Sequence, residues 1–341
     1  MMSQGAGTLP SIEPPSPLPS PGEAEVFKCP NCGAPIEVTP DSLVIKCRYC
    51  GYIEYRDPGY DVFVFPSISR EEITRRFWDR MRTDSDMSKY VSSISIDSIT
   101  NMFVPFYVVD YDAQYFFIGE REETRTRTVN VGGRVVTQTE VRTVKVRDSG
   151  SVRGVDAILG RRHIEELGIK ELSTQVKQLD VSAAVHASKY EWGKEVYAVM
   201  GFDIEPKEVS AIARDVIAEK LKTWVKRKYR LDRLNVYLCR VNIKNFKAVL
   251  VPIYIVTYKF RNAIYSIAFS GVDGRQLVAI EPVLTKHLVM YLGGAAAATF
   301  VASLALPFAF RLGHLAFLSV ALMIGAGYLV GKALGGVRFE R

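Results

Sequence analysis

Between residues 57 and 286, apolar positions recur alternately at helical and at strand spacing. Ser69-Arg70-Glu71-Glu72 is a capping box, and it opens a helix that carries Ile73, Phe77, Trp78 and Met81 on one face. A longer helix is predicted from Glu208 to about Arg230, turning Val209, Ile212, Val216, Leu221, Trp224 and Val225 inward. Two strand segments resemble each other. VPFYVVDY (104–111) and VPIYIVTY (251–258) match at five of eight positions and lie 147 residues apart. After the second come YSIAF, a GVDGR turn and QLVAI, the pattern of an antiparallel meander. In TRTRTVNVGGRVVTQTEVRTVKVR (124–147), Thr, Val and Arg alternate on both sides of Gly132-Gly133, which predicts a β-hairpin with a two-residue turn. Both of its faces are largely polar, so it should project. Residues 57–286 therefore read as an α+β body of two similar lobes, a duplicated helix-on-antiparallel-sheet unit, with a hairpin at 121–147.

A different pattern closes the chain. Leu288–Phe310 is 23 residues without a charge, about 34 Å as a helix. Leu315–Gly331 adds 17 more, and only Arg311-Leu312-Gly313-His314 separates the two. Gly293, Gly294, Ala295–Ala298, Ala302, Gly325 and Gly327 are the small residues that let membrane helices approach closely. A two-helix transmembrane hairpin is expected over 287–335, followed by a cytoplasmic tail at 336–341. Lys286, Lys332, Arg338 and Arg341 flank the outer ends, against Arg311 in the connection. That bias places the N-terminal domain and the C-terminus in the cytoplasm, with two spans in the cell membrane. Neither span carries a group that titrates near neutral pH, so the pair reads as an anchor and not an ion pathway.

The other end is the opposite case. Residues 1–22 hold six prolines and one charged residue, Glu13. Such a composition cannot bury enough apolar surface to fold, and 1–25 are expected to be a disordered Pro/Ser-rich tail. The net charge of +7 changes little, because it is spread over 341 residues and does not by itself require nucleic acid.

Cysteine brings in chemistry. Cys29, Cys32, Cys47 and Cys50 form C-x2-C-x14-C-x2-C, with Gly33 and Gly51 just after each pair. Two residues between thiolates let one tight turn present both sulfurs to a tetrahedral ion, and glycine supplies the positive φ such a turn needs. A zinc ribbon is expected over 26–56, holding one structural Zn2+. Its strands are read as Ile36–Val38 and Leu43–Ile45, joined by a turn at Thr39–Ser42. Thirty residues make no core of their own, so the metal supplies folding energy. Paired thiols kept for metal imply a reducing compartment. Cys239, in LNVYLCRV, is read as a small core residue.

No catalytic constellation is legible. Walker, dinucleotide-binding, GxSxG and HExxH patterns are absent from the sequence, and His163 and His186 have no partner at motif spacing. Arg161, Arg162 and His163 near Glu165 and Glu166 read as an exposed helix face. Two basic patches stand out. Residues 121–147 carry seven Lys/Arg against three Glu. Residues 220–233 carry Lys220, Lys222, Lys226, Arg227, Lys228, Arg230 and Arg233 against Asp232. These side chains suit anionic lipid headgroups or the phosphates of a nucleic acid, with lipid favoured.

CPNCGAP…CRYCG, the capped helix, VPFYVVDYDAQYFFIGE and VPIYIVTYKFRNAIYSIAFSGVDGRQLVAIEPV before an apolar hairpin resemble a group of prokaryotic membrane-anchored zinc-ribbon proteins. Phe106-Tyr107 and Ile253-Tyr254 stand where that group commonly has tryptophan, and Gly271–Gly274 where an Asn-Gly-x-Thr-Gly turn is usual. The resemblance implies a ribbon and a membrane anchor and no defined activity. The expected function is a non-enzymatic, membrane-anchored adaptor or scaffold that docks unidentified protein partners. The alternatives are a membrane tether for nucleic acid, using 121–147 and 220–233, and a membrane-bound enzyme of unknown type.

Overall fold

The computed structural model describes residues 25–38, 42–131, 134–193, 196–282, 285–309, 313–334 and 337–340. Residues 1–24 of the tail expected at 1–25, residues 39–41 of the turn expected at 39–42, Gly132-Gly133 and Arg311 lie outside them. The described chain is mixed α+β and divides into two compact units, residues 1–56 and 57–341.

The first unit holds β1 (Glu25–Lys28), β2 (Pro35–Val38), β3 (Val44–Lys46) and β4 (Ile53–Tyr55). The expected hairpin of 36–38 with 43–45 is corrected here, because β1 pairs with β2 and β3 with β4. Each CxxCG turn is itself the bend of a hairpin, so each pair of cysteines recruits the strands on its own two sides.

The second unit contains β5 (Val62–Val64), α1 (Arg70–Thr83), β6 (Ile94–Val131), β7 (Arg134–Leu159), α2 (Ile169–Val176), β8 (Val185–His186), β9 (Val196–Val199), α3 (Pro206–Lys228), β10 (Arg233–Phe260), β11 (Ala263–Ser270), β12 (Gln276–Pro282), α4 (Thr285–Ala309), α5 (Gly313–Leu334) and β13 (Val337–Glu340). Nine of its strands form one sheet. The spine is the antiparallel pair β6–β10, whose register runs from Ile94↔Phe260 to Glu120↔Arg233. VPFYVVDY is therefore not a separate strand from the expected hairpin: one strand of 38 residues contains both.

Val104 pairs with Val251, and Pro105 and Pro252 lie one step to either side. Around that point each contact has a counterpart. β9 runs parallel to β6 at Asn101–Phe103, and β5 runs parallel to β10 at Ala248–Leu250, 147 residues further on. Pro105 O accepts from Gly160 N at 2.8 Å, and Pro252 O accepts from Gly271 N at 2.8 Å. Gly160 O then accepts from Ile204 N, and Gly271 O from Ile68 N. Tyr107 donates its hydroxyl to Ile204 O at 2.6 Å, and Tyr254 donates to Ile68 O at 2.8 Å. Ile68 and Ile204 immediately precede the N-caps of α1 and α3, Ser69 and Glu205. A local two-fold axis thus relates the halves. Both glycines are required by space: a Cβ at Gly271 would stand 2.5 Å from Pro252 Cβ, and one at Gly160 would stand 2.5 Å from the Phe202 ring.

Helices α1 and α3 cover one face of the sheet and α2 the other. α1 buries Ile73, Phe77 and Met81 against Tyr254, Tyr258 and Phe269, and its cap is the expected one, Ser69 accepting from Glu72 N. α3 buries Val209, Ala213, Ile217, Leu221 and Val225. The expected inward set changes phase: Trp224 is 40% exposed. A stripe repeating every four residues admits small Ala213 in place of the larger neighbours that sequence scoring favours. α2 closes the opposite core over Val104, Phe106, Val249 and Val251.

Beyond β12, α4 and α5 follow, and β13 returns to pair with β12 antiparallel. The expected tail at 336–341 therefore contributes a strand. Among the described residues no helix is long and apolar enough to cross a membrane, so the two spans predicted for 287–335 are not established by this fold.

The two-fold predicts matched losses. Tyr107→Phe should destabilise the chain by about 1 kcal/mol, by removing one buried hydrogen bond. Tyr254→Phe should cost more, since Asn101 Nδ2 also donates to that hydroxyl at 3.0 Å and is itself buried. Denaturant unfolding followed by tryptophan fluorescence measures both.

Candidate metal centre and basic surfaces

Each knuckle is built the same way. Gly33 N donates to Cys29 O at 2.8 Å and Gly51 N to Cys47 O at 2.9 Å, and Cys29 N and Cys47 N donate to Ala34 O and Tyr52 O. Gly33 and Gly51 take φ values of 72° and 74°, a region costly for any residue with a Cβ. The first cysteine of each knuckle is buried, as are Val38, Leu43 and Ile45. The second, Cys32 or Cys50, lies further out.

The four sulfurs converge. All lie within 4.8 Å of one another, with Cys29 Sγ 3.6 Å from Cys50 Sγ and Cys32 Sγ 3.6 Å from Cys47 Sγ. A tetrahedral ion with bonds of about 2.3 Å needs its sulfurs about 3.8 Å apart. The set therefore fits a single metal ion. The thiols are unlike one another. Hydrogen bonds from the Asn31 side chain and the Tyr52 backbone hold Cys50 down at about 6. At Cys32 the Ala34 backbone N–H favours the thiolate, but desolvation and the other three cysteines outweigh it, pushing the thiol up to about 12.

The basic residues of 220–233 meet different fates. Lys220 Nζ binds both oxygens of buried Asp156 at 2.9 and 2.8 Å, alongside Lys177. Lys222 pairs with Glu219 at 3.0 Å. Lys228 sits over the Trp224 ring, 4.6 Å from its centroid. Lys226, Arg227 and Lys228 occupy the last turn of α3, where cations offset the helix dipole, and Arg230 and Arg233 are exposed just beyond. Much of this patch thus has a structural role. The 121–147 hairpin is the paired continuation of β6 and β7, closing at Val131↔Arg134.

Two further expectations are corrected. Residues 161–166 are not helical; Arg162 instead donates to Glu208, the N3 residue of the α3 capping box, at 3.0 Å. Cys239 is half-exposed, and its neighbour Leu238 is 63% exposed. His186 meets Asp61 at 3.4 Å and Ser188 Oγ at 2.7 Å. Its Nδ1 also accepts from Ser188 N and caps a short 3-10 turn, while Asp61 is 83% exposed. The ring is thus a turn cap, packed edge-on against Phe63 with centroids 5.7 Å apart.

No family model, curated protein or solved structure matches the chain.

Cys29→Ser or Cys47→Ser should abolish stoichiometric metal binding and unfold the first unit, since each supplies a buried ligand. Acidification should release the metal, because protons compete for thiolates. Elemental analysis with thiol titration measures both effects.

Proposed function

We propose that the chain is a non-enzymatic adaptor, anchored by α4 and α5 in a membrane, that presents a zinc-folded ribbon and a two-fold sheet body to protein partners in the cytoplasm. The observation that carries this reading is the inverted packing of the two helices. Ala295, Ala302 and Ala326 are buried, while Met290, Phe300, Leu304, Met323 and Ile324 are exposed. In water that arrangement leaves a large apolar surface unexplained. In lipid, small residues inside and large apolar ones outside are what lets helices associate. The uncharged runs 288–310 and 315–331 agree with it. So does β13, which returns the chain to the strand that α4 left and puts both flanks on one side.

Zinc is the ion favoured by four thiolates in a closed tetrahedral set. Four mutually close sulfurs leave no open position for a substrate, and that supports a structural role. The counterpart hydrogen bonds about Pro105 and Pro252 support an origin of the body by duplication.

Expressed in its membrane, the chain should stay in the pellet through an alkaline carbonate wash and carry one zinc per chain by elemental analysis. Removing residues 26–56 should abolish the zinc and leave membrane retention unchanged. Release by carbonate would overturn the anchor, and a tightly held iron would overturn the zinc.

A further inference from the structure

The two halves differ in how far their central strands run beyond the prolines. Past Pro252, β10 ends after eight residues at Phe260, whereas β6 runs from Pro105 to Val131. β10 reaches back to Arg233 to pair with the extra length, and α3 has 23 residues to the 14 of α1. The result is a three-stranded extension of β10, β6 and β7. One of its faces is covered by α3, where Tyr115 and Phe117 pack on Val225 and Leu231. The other is open, since α2 ends its contacts at the level of Val108 and Ala157.

That open face is ordered. Leu238, Phe116 and Ser149 lie side by side in one row, and Val236, Ile118 and Arg147 in the next. Leu238 is 63% exposed and Val236 39%. Cations bound this apolar centre. Arg147 stands over the Phe116 ring at 5.2 Å, and Arg240, Arg233 and Lys145 are exposed in the adjoining rows. Of the acids nearby, Asp112 pairs with Arg153 and Lys244, Glu120 accepts from Asn235, and Glu122 lies exposed one row beyond Glu120.

We propose that this face docks a segment of a partner protein in which apolar and acidic side chains alternate, as an apolar centre with an arginine-rich rim prescribes. A second copy of the chain would bring two cationic rims together. Bases stack on aromatic rings, and the centre holds one aromatic among three aliphatics. Lipid is disfavoured by position. The end of β12, which leads into α4, lies in a row with Thr257 and Ser98, and Phe116 is about 60 Å further along the strand. The inference rests on the docking part of the function above, and its exclusion of lipid on the anchor; it does not rest on the zinc.

The test uses the full chain and a fluorescein-labelled synthetic peptide alternating Leu and Glu, with a Leu–Lys peptide as control. Anisotropy should report saturable binding of the first alone. Leu238→Ser, and separately Arg147→Glu with Arg240→Glu, should each weaken it about ten-fold or more. These sites are exposed, so thermal unfolding should not move. Absent binding, equal binding of both peptides, or affinity untouched by either variant overturns the proposal. So does tighter binding of an oligothymidylate or of phosphatidylglycerol vesicles at the same residues. Carbonate retention and zinc content do not depend on this face, so they report separately on the anchor and the ribbon.

Discussion

Everything in the sheet depends on how two prolines are accommodated in its central strands. Proline has no N–H to give a ladder and is normally excluded from the middle of a sheet. Here the outer neighbours of β6 change over at Pro105: β9 stops at Phe103 and β7 begins at Phe106. On β10 the change falls at Pro252, between β5 at Leu250 and β11 at Ile253. The missing donor sits where no outer strand needs one. The carbonyls remain, and each is taken by a glycine N–H whose own carbonyl accepts from the residue just before a helix cap. One constraint therefore fixes the strand order, the two close glycines and the placement of α1 and α3.

From that frame the β6–β7 side is extended in length. Extending β6 and β7 required longer pairing from β10 and a longer α3, and Tyr229 ties the end of that helix to Asp148 on β7. The extension adds nothing to the core between the halves. A surface that a fold maintains without needing it for its core is where recognition is expected.

Local chemistry was legible in the sequence; pairing was not. The Ser69 cap, the knuckle glycines and the GVDGR turn each depend on a few adjacent residues. Gly271 and Gly274, in that turn, donate to Pro252 O and Ser270 O. The apolar run LNVYLCRV cannot say whether a face is covered, so Cys239 reads as core although it is only half-buried. The fusion of VPFYVVDY with the hairpin strand was hidden because Asp110 and Asp112 interrupt the apolar run, though the backbone passes through them unbroken. In the ribbon, partner choice went to the strands flanking each knuckle, where Gly33 N and Gly51 N close the bend onto Cys29 O and Cys47 O.

The β12–β13 ladder has a topological consequence. It joins Pro282 to Val337, so the helical pair between them is a closed excursion that leaves and re-enters at one point of the sheet. If that excursion enters a bilayer, the number of crossings must be even. A chain inserted with a single crossing would strand residues 337–340 on the far side and leave the β12 edge unpaired. A β13 paired with β12 therefore requires that the helices between them bring the chain back to the side it left.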